Sequence, residues 1–128
     1  MTDAIVDTSV LIAAETGRRL RLEALPERLG VSVITIGELR AGVLAAPNLA
    51  TREARLATLT AALRLTPLPV DADVASAWAH LRVLLRDAGL RMDINDSWIA
   101  ATAIHLGVPV VTQDDGYPEL PGLTVIRV

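Results

Sequence analysis

The sequence predicts an α/β domain, a three-layer α/β/α sandwich around a central, mainly parallel sheet. Short apolar runs alternate with longer stretches in which apolar residues recur at helical spacing. Alternation of this kind favours parallel strands joined by right-handed crossovers. The chain has 128 residues, 52% of them hydrophobic, which suits a single domain over residues 1–128 with one aliphatic core.

The predicted strands are short and apolar, and several are rich in β-branched residues. The segment 65–70 contains two prolines, so we expect it to be an edge strand or a loop. In chain order the predicted strands are 4–6, 31–34, 65–70, 108–112 and 123–128.

The first two predicted helices each follow a strand. The first begins after Asp7, where Thr8 and Ser9 open an amphipathic stretch. Thr35 and Glu38 have the spacing of a capping box, which predicts that the second helix starts there.

Three further helices complete the predicted fold. The third spans 51–64. Asp71 or Asp73 is expected to cap the fourth, which ends at Gly89. Asn95–Asp96 is expected to cap the fifth.

Residue types that are absent exclude several kinds of chemistry. The chain has no Cys, which removes thiol nucleophiles, disulfides and zinc fingers. All 12 basic residues are Arg, which removes phosphate-loop and Schiff-base lysines. Carboxylates, hydroxyls, arginine and the two imidazoles of His80 and His105 remain for catalysis.

The N-terminal residues lack the features of an export signal, and no apolar run approaches the ~18 residues of a membrane span. We therefore expect a cytoplasmic protein with no membrane association.

Four acidic residues occupy equivalent places in the predicted fold. Asp7 ends the first strand, Glu38 follows the second, Asp96 opens the last helix, and Asp114 follows the strand that ends at Thr112. Sites in open α/β sheets form beyond the carboxyl ends of the strands. Each acid alone is better explained as a cap or turn residue. Together, such carboxylates repel one another unless they share protons or bind a cation, and oxygen ligands without His or Cys favour Mg²⁺ or Mn²⁺.

Four segments resemble those of PIN-domain ribonucleases, and the similarity is greatest to the VapC type, the toxin half of a bacterial toxin–antitoxin pair. The segments are Ile5–Ile12, Ile36–Gly42, Asn95–Ala103 and Val111–Asp114. The resemblance implies a PIN-like fold and a Mg²⁺- or Mn²⁺-dependent endoribonuclease that hydrolyses phosphodiester bonds. It also implies a homodimer, an RNA substrate and a cognate VapB-type antitoxin as partner.

By the same resemblance, the metal ligands and catalytic residues are Asp7, Glu38, Asp96 and Asp114, with Thr8, Ser9 and Thr112 as supporting hydroxyls. The chain departs from the family pattern at Gln113, where a basic residue is more common, and at Tyr117, where Phe is more common. Neither position is a metal ligand. We expect Asp93 and Asp115 to lie at the surface.

Binding of RNA requires positive charge near the acids, because the cation offsets only part of their repulsion of phosphate. The candidate RNA-binding residues are Arg18, Arg19, Arg21, Arg82 and Arg86. An ordinary solvated surface explains each of these arginines better when it is taken alone, since the net charge of the chain is -3.

Three apolar features have expected places. Trp78 is expected in the core, and Trp98 beneath the acids. Leu22, Leu25 and Leu29 have helical spacing, and the helix they predict over 20–29 either lines a groove for the antitoxin or packs in the core.

Other functions fit the residues less well. Phosphotransfer receiver domains and haloacid-dehalogenase phosphatases also place acids at strand ends, but both rely on a lysine. The remaining alternative is a catalytically inactive PIN-like module that only binds an antitoxin partner or RNA.

Overall fold

A computed structural model describes residues 1–128 and confirms the predicted α/β class. The sheet has five strands in the order β3-β2-β1-β4-β5, and every neighbouring pair is parallel. The strands are β1 (Ala4–Val6), β2 (Leu29–Ser32), β3 (Thr66–Leu68), β4 (Val110–Thr112) and β5 (Val125–Arg127). The chain builds the sheet outwards from β1 in one direction and then in the other, so the strand order reverses between β1 and β4. That reversal is where α/β sheets place their sites.

Five helices surround the sheet. They are α1 (Thr8–Glu15), α2 (Val33–Leu44), α3 (Leu49–Arg64), α4 (Ala72–Ala88) and α5 (Ile94–Leu106). None of them is long and apolar enough to cross a membrane.

The alternation of side chains along β1 explains the three layers. Ile5 faces one side of the sheet, where it packs with Leu81 of α4 and Ile99 of α5. Ala4 and Val6 face the other side and pack with Val10 of α1. A smaller cluster joins α2 to α3 through residues Leu39, Val43, Leu59 and Ala62. Burial on both faces of the sheet is what continuous apolar strands require.

The predicted capping box at the start of α2 is wrong. The helix begins three residues earlier, at Val33, because the hydroxyl of Ser32, in place of Thr35, accepts the N–H of Ile34 (3.1 Å) and serves as the N-cap. Thr35 is a fully buried residue of the first turn, and Glu38 lies in the second. The side chain of Glu38 is therefore free for other contacts.

The predicted cap of α5 is also displaced. Asp93, not Asn95–Asp96, is the N-cap, and its Oδ2 accepts the backbone N–H groups of Asn95 (3.1 Å) and Asp96 (3.3 Å). Asp96 lies in the first turn of the helix, so its carboxylate is not used in capping. The acid that caps α4 is Asp71, which accepts the N–H of Val74 (2.9 Å).

The helix predicted over 20–29 is absent. Only Leu22–Ala24 forms a single 3-10 turn, and Leu22 is exposed. Pro26 accounts for the difference, because proline lacks the N–H that a helix interior needs and disfavours helical backbone at the preceding residue. Leu25 packs against residues of β1 and β4 instead, and Leu29 is the first residue of β2.

Candidate active site

Asp7 lies where β1 ends and α1 begins, and it is the N-cap of α1. The residue is 1% exposed. The hydroxyl of Ser9 donates to Asp7 Oδ1 (2.5 Å), and that of Thr112, the last residue of β4, donates to Oδ2 (2.6 Å). The N–H of Val10 lies 3.4 Å from Oδ1. Residues from two neighbouring strand ends thus hold one buried carboxylate in a fixed orientation.

The charge of this carboxylate is poorly compensated. Burial raises the pKa of Asp7 above its ordinary value of 3.8, because the ionised form loses hydration. The hydrogen bonds from Ser9 and Thr112 lower the pKa, the charge of Asp114 raises it, and the net direction is upward. A cation close to Asp7 would relieve this strain.

Glu38 connects α2 to α1. The hydroxyl of Thr8 donates to Glu38 Oε1 (2.7 Å), and the same hydroxyl lies 3.0 Å from the Thr35 hydroxyl. Because Thr8 directly follows Asp7, this contact brings the acid of α2 to the end of β1. The second Glu38 oxygen has no protein partner in the structure.

Asp96 is the acid most affected by its neighbours. Partial burial in the first turn of α5 raises its pKa to about 6, and the negative charges of Asp7, Asp93, Asp114 and Glu38 contribute in that order. All four predicted acids therefore lie close enough to act on one another electrostatically. The helix N-terminus offsets part of this repulsion, because its dipole favours negative charge.

Asp114 completes the group at the end of β4. Its backbone N–H donates to the Thr112 hydroxyl (2.9 Å), so one hydroxyl links the backbone at Asp114 to the Asp7 carboxylate. The loop that follows lies close to α5, since a Cβ at Gly116 would be 3.6 Å from Asp96 Oδ2. Asp115 points away, is exposed, and pairs with Arg127 (3.4 Å).

An open cleft of about 380 Å³ gathers these side chains. Its lining includes Thr8, Ser9, Arg18, Glu38, Asp93, Asp96 and Asp114. Asp7 lies beneath them, buried. The structure thus brings together all four predicted acids and the three predicted hydroxyls.

Asp93 lies at the surface, as expected, but it also contributes to the cleft. The residue is exposed, but it lines the cleft, caps α5 and raises the pKa of Asp96. Its position three residues before Asp96 was the signal in the sequence, because an N-cap and the first turn of a helix share one end.

Tyr117 is the buried polar group that sequence reasoning did not use. It is 4% exposed, and its hydroxyl, which lies close to the Asp7 carboxylate, makes no hydrogen bond of ordinary geometry to a protein atom. Burial and the neighbouring charges of Asp7 and Asp96 raise the pKa of Tyr117 far above its ordinary value of 10.0. The ring packs in the core with Ile5 and Leu123 while its hydroxyl lies beside the acids.

The predicted RNA-binding arginines separate into three places. Arg18 lines the acidic cleft. Arg19 is exposed, and Arg21 donates to the backbone carbonyl of Arg127 (3.3 Å), away from the acids. Arg82 and Arg86 line a separate groove of about 310 Å³.

That groove lies between the end of α4 and the start of α5. Its other lining residues are Leu85, Leu90, Arg91, Met92 and Ser97. Met92 and Ser97 flank the segment 93–96 that carries two acids of the cleft, so the groove and the cleft are neighbours on either side of the α5 N-terminus. Sequence reasoning did not identify Arg91, which follows the end of α4 and has no periodicity to mark it.

Trp78 was expected in the core, but it is only partly buried, and so is Trp98. The rings of Trp78 and Trp98 stack with centroids 4.3 Å apart and an interplanar angle of 3°. The guanidinium of Arg82 lies 5.1 Å from the Trp78 ring centroid, and Trp78 Nε1 donates to the Ser97 hydroxyl (2.9 Å). These contacts stabilise the packing of α4 on α5 next to the groove, and they stabilise the position of Arg82.

A second cluster of ionisable side chains lies elsewhere. Asp71, Asp73 and His105 place ligand-type atoms within 4.8 Å of one another, and all three residues are exposed. Sequence reasoning did not single out this cluster as a site.

Comparison with known proteins agrees with this geometry. Residues 4–123 match the family described as PIN domain. The chain belongs to the PIN-domain family. The matched range therefore covers the first four strands, all five helices and all four predicted acids, and the predicted family and fold are confirmed.

Two curated relatives of this PIN domain are from Mycobacterium tuberculosis. Ribonuclease VapC5 is 46% identical over 124 residues, covering 97% of this chain and 92% of the relative. Ribonuclease VapC4 is 46% identical over 125 residues, covering 98% and 96%. Among solved structures, a member of the VapBC family of toxin–antitoxin systems, VapBC-5 from the same species, superposes with a TM-score of 0.91 at 42% identity and covers 100% of both chains.

The donor set fits a hard divalent cation. The cleft offers carboxylate and hydroxyl oxygens and no imidazole or thiolate. An acid beneath the cleft with a raised pKa, and a buried hydroxyl without a partner beside it, are both features that an ion would satisfy.

Proposed function

We propose that this PIN domain is a metal-dependent endoribonuclease that hydrolyses RNA phosphodiester bonds and serves as the toxin of a toxin–antitoxin pair in the cytoplasm. The observation that carries the proposal is the crowding of acids at the cleft, where partial burial and four other carboxylates raise the pKa of Asp96 to about 6. Ordinary caps and turns do not require this repulsion. The ribonuclease names of the relatives VapC5 and VapC4 support RNA as the substrate.

We infer that Asp7, Glu38, Asp96 and Asp114 hold Mg²⁺ or Mn²⁺. A bound cation would polarise the scissile phosphate, lower the pKa of a water molecule and stabilise the leaving oxygen. The hydroxyls of Ser9 and Thr112 fix the orientation of Asp7, and that of Thr8 fixes Glu38. This arrangement needs neither lysine nor histidine, which agrees with the composition of the chain.

The arginines indicate how a polyanion reaches an acidic cleft. Arg18 lines the cleft, and Arg82, Arg86 and Arg91 line the groove beside it. We infer that phosphates flanking the scissile bond contact these arginines, since Arg binds phosphate through several parallel hydrogen bonds. Arg19 and Arg21 receive no such support from the geometry.

We also infer that a VapB-type antitoxin binds this chain, because the matched structure is a member of the VapBC family. Exposed large apolar side chains on α2 and α3, among them Leu44 and Leu49, leave surface for such a partner or for a second copy in a homodimer. Light scattering can test this part of the proposal, with the chain alone and mixed with the protein that the adjacent gene encodes. A mass of 13.6 kDa, that of the monomer, in both measurements would contradict it.

The test of the function is a metal titration on antitoxin-free protein incubated with RNA. We expect cleavage with Mg²⁺ or Mn²⁺ and none in chelator, and we expect Ca²⁺ to support little turnover because its coordination is looser. Undiminished cleavage in chelator would refute the metal mechanism. Binding of RNA or antitoxin without cleavage at any metal concentration would favour the inactive PIN-like module.

A further inference from the structure

The hydroxyl of Tyr117 is buried close to the acids of the cleft and makes no hydrogen bond of ordinary geometry to a protein atom. Its ring is anchored in the core, and its oxygen is buried and has no partner among protein atoms. A buried hydroxyl left unpaired destabilises a fold, so such groups in native proteins commonly have a use. A phenylalanine at this position would fill the same core space without that penalty.

The surroundings of the hydroxyl indicate what the use is. The carboxylates of Asp7, Asp96 and Asp114 all act on it electrostatically, and the charge of Asp7 has the largest effect of the three. Asp7 Oδ2 accepts one hydrogen bond, from Thr112, and so retains a lone pair. A phenolic hydroxyl can donate one hydrogen bond and accept another, which suits a place between a carboxylate and a water molecule.

We propose that Tyr117 is a positioning residue of the cation site. Once a cation is bound, its O–H donates to the Asp7 carboxylate, and its oxygen accepts a hydrogen bond from a water molecule in the hydration shell of the cation. Mg²⁺ and Mn²⁺ sites built on carboxylates usually retain such water. The proposal rests on the proposed function, because it requires a cation among the acids. It adds to the site a residue that is not one of the four proposed metal ligands.

Tyr117→Phe tests the proposal directly. We expect the Kd for Mn²⁺, measured by calorimetry on the full chain, to rise by about 10-fold or more, as for other groups that orient metal ligands. We expect the Tm of the metal-free protein to stay the same or rise, because the unpaired hydroxyl is gone. A purely structural hydroxyl gives the opposite pattern, a lower metal-free Tm with unchanged Mn²⁺ affinity, and that result would overturn the proposal.

A second measurement does not depend on a variant. Tyr117 is the only tyrosine in the chain, so selectively labelled tyrosine gives a single ring-carbon resonance. We expect saturating Mg²⁺ to shift the resonance of the hydroxyl-bearing carbon in wild-type protein, and to leave it unshifted in Asp96→Asn. No shift in a wild-type protein that binds Mg²⁺ overturns the role of Tyr117, whereas wild-type protein that binds neither Mg²⁺ nor Mn²⁺ overturns the proposed function itself.

Discussion

The helices α4 and α5 pack antiparallel, and each end of the pair carries a cluster of ionisable side chains. Where α5 begins, Asp96 shares a cleft with Glu38 and Asp114 above the buried Asp7. At the opposite end, Asp71, Asp73 and His105 come together at the start of α4 and the end of α5. Both clusters are acidic, but only the first contains a carboxylate removed from water.

The second cluster is explained by the helices that carry it. Asp71 caps α4, Asp73 lies in its first turn, and His105 lies in the last turn of α5. Acids at a helix N-terminus and an imidazole near a C-terminus each interact favourably with the helix dipole. At the first cluster, burial and neighbouring carboxylates instead raise the pKa values of Asp7 and Asp96. Retained repulsion among the carboxylates, rather than charge as such, is therefore the observation that favours the first cluster as the candidate site over an explanation by helix capping.

The largest expected effect is on catalysis. Asp7→Asn, Asp96→Asn and Glu38→Gln each remove a charge with almost no change of shape. We expect RNA cleavage to fall at least about 100-fold, because a bound cation supplies several kcal/mol of transition-state stabilisation. The Tm of the metal-free variants should be unchanged or higher, since like-charge repulsion is relieved.

The matched controls are Asp73→Asn at the other end of α4 and Asp115→Asn at the surface, for which we expect near wild-type cleavage. We expect Asp93→Asn to have a small effect, because Asn is as good a cap as Asp. A variant of Asp7, Asp96 or Glu38 that loses activity only in proportion to lost folding would refute its catalytic assignment.

The second expected effect is stabilisation by metal. At a free Mn²⁺ concentration about 100 times Kd, binding adds about 2.7 kcal/mol to the free energy of unfolding, which for a domain of this size raises Tm by about 10 °C. We expect the shift in wild-type protein and in Asp73→Asn, and its loss in Asp7→Asn. If only Asp73→Asn lost the shift in Tm, the cation would have to be assigned to the cluster of Asp71, Asp73 and His105 and not to the cleft.

The third expected effect concerns the groove next to the first cluster. In an inactive Asp96→Asn background, replacing Arg82, Arg86 or Arg91 by Gln should weaken binding of single-stranded RNA. The salt dependence, as the slope of log K against log salt, should fall by about 0.7 for each phosphate that the variant no longer neutralises. Arg64→Gln, at the end of α3, serves as the control, and an equal change in that variant would mean non-specific attraction only.

The smallest expected effect is on the pH dependence of stability. Folded Asp96 has a pKa of about 6 against an ordinary value of 3.8, so the folded state binds more protons between these values. The free energy of unfolding of the metal-free protein therefore falls as pH rises through this range, and Asp7 acts in the same direction. In Asp96→Asn the decrease should be shallower, as denaturant titrations at several pH values will show, and in Asp73→Asn it should persist. A parallel decrease in wild type and Asp96→Asn would contradict the assigned pKa.

The sequence was most informative about candidate site residues that directly follow the end of a strand. Asp7 and Asp114 could be placed at the same edge of the sheet because parallel strands share one direction, and apolar runs locate their ends well. The sheet was expected to be mainly parallel, and it is in fact entirely so. Whether the four acids bind metal stays a prediction.

The sequence was less informative about helix starts and about loops that close on the core. Ser32 and Asp93 each cap a helix that we expected to begin with other residues, because several nearby side chains can accept the same N–H groups. The burial of the Tyr117 hydroxyl depends on how the loop 113–117 folds back toward α5, and no local pattern encodes that approach.

The stacked pair of Trp78 and Trp98 is an intrinsic fluorescence probe of the contact between α4 and α5. These are its only two tryptophans, and both lie where α4 packs on α5. Fluorescence excited through tryptophan therefore follows the separation of this one helix pair, while circular dichroism follows the helices as a whole. Coincident unfolding curves from the two signals would show that α4 and α5 unfold together with the other helices, and an earlier fluorescence change would identify α4–α5 as a separate unit of local opening.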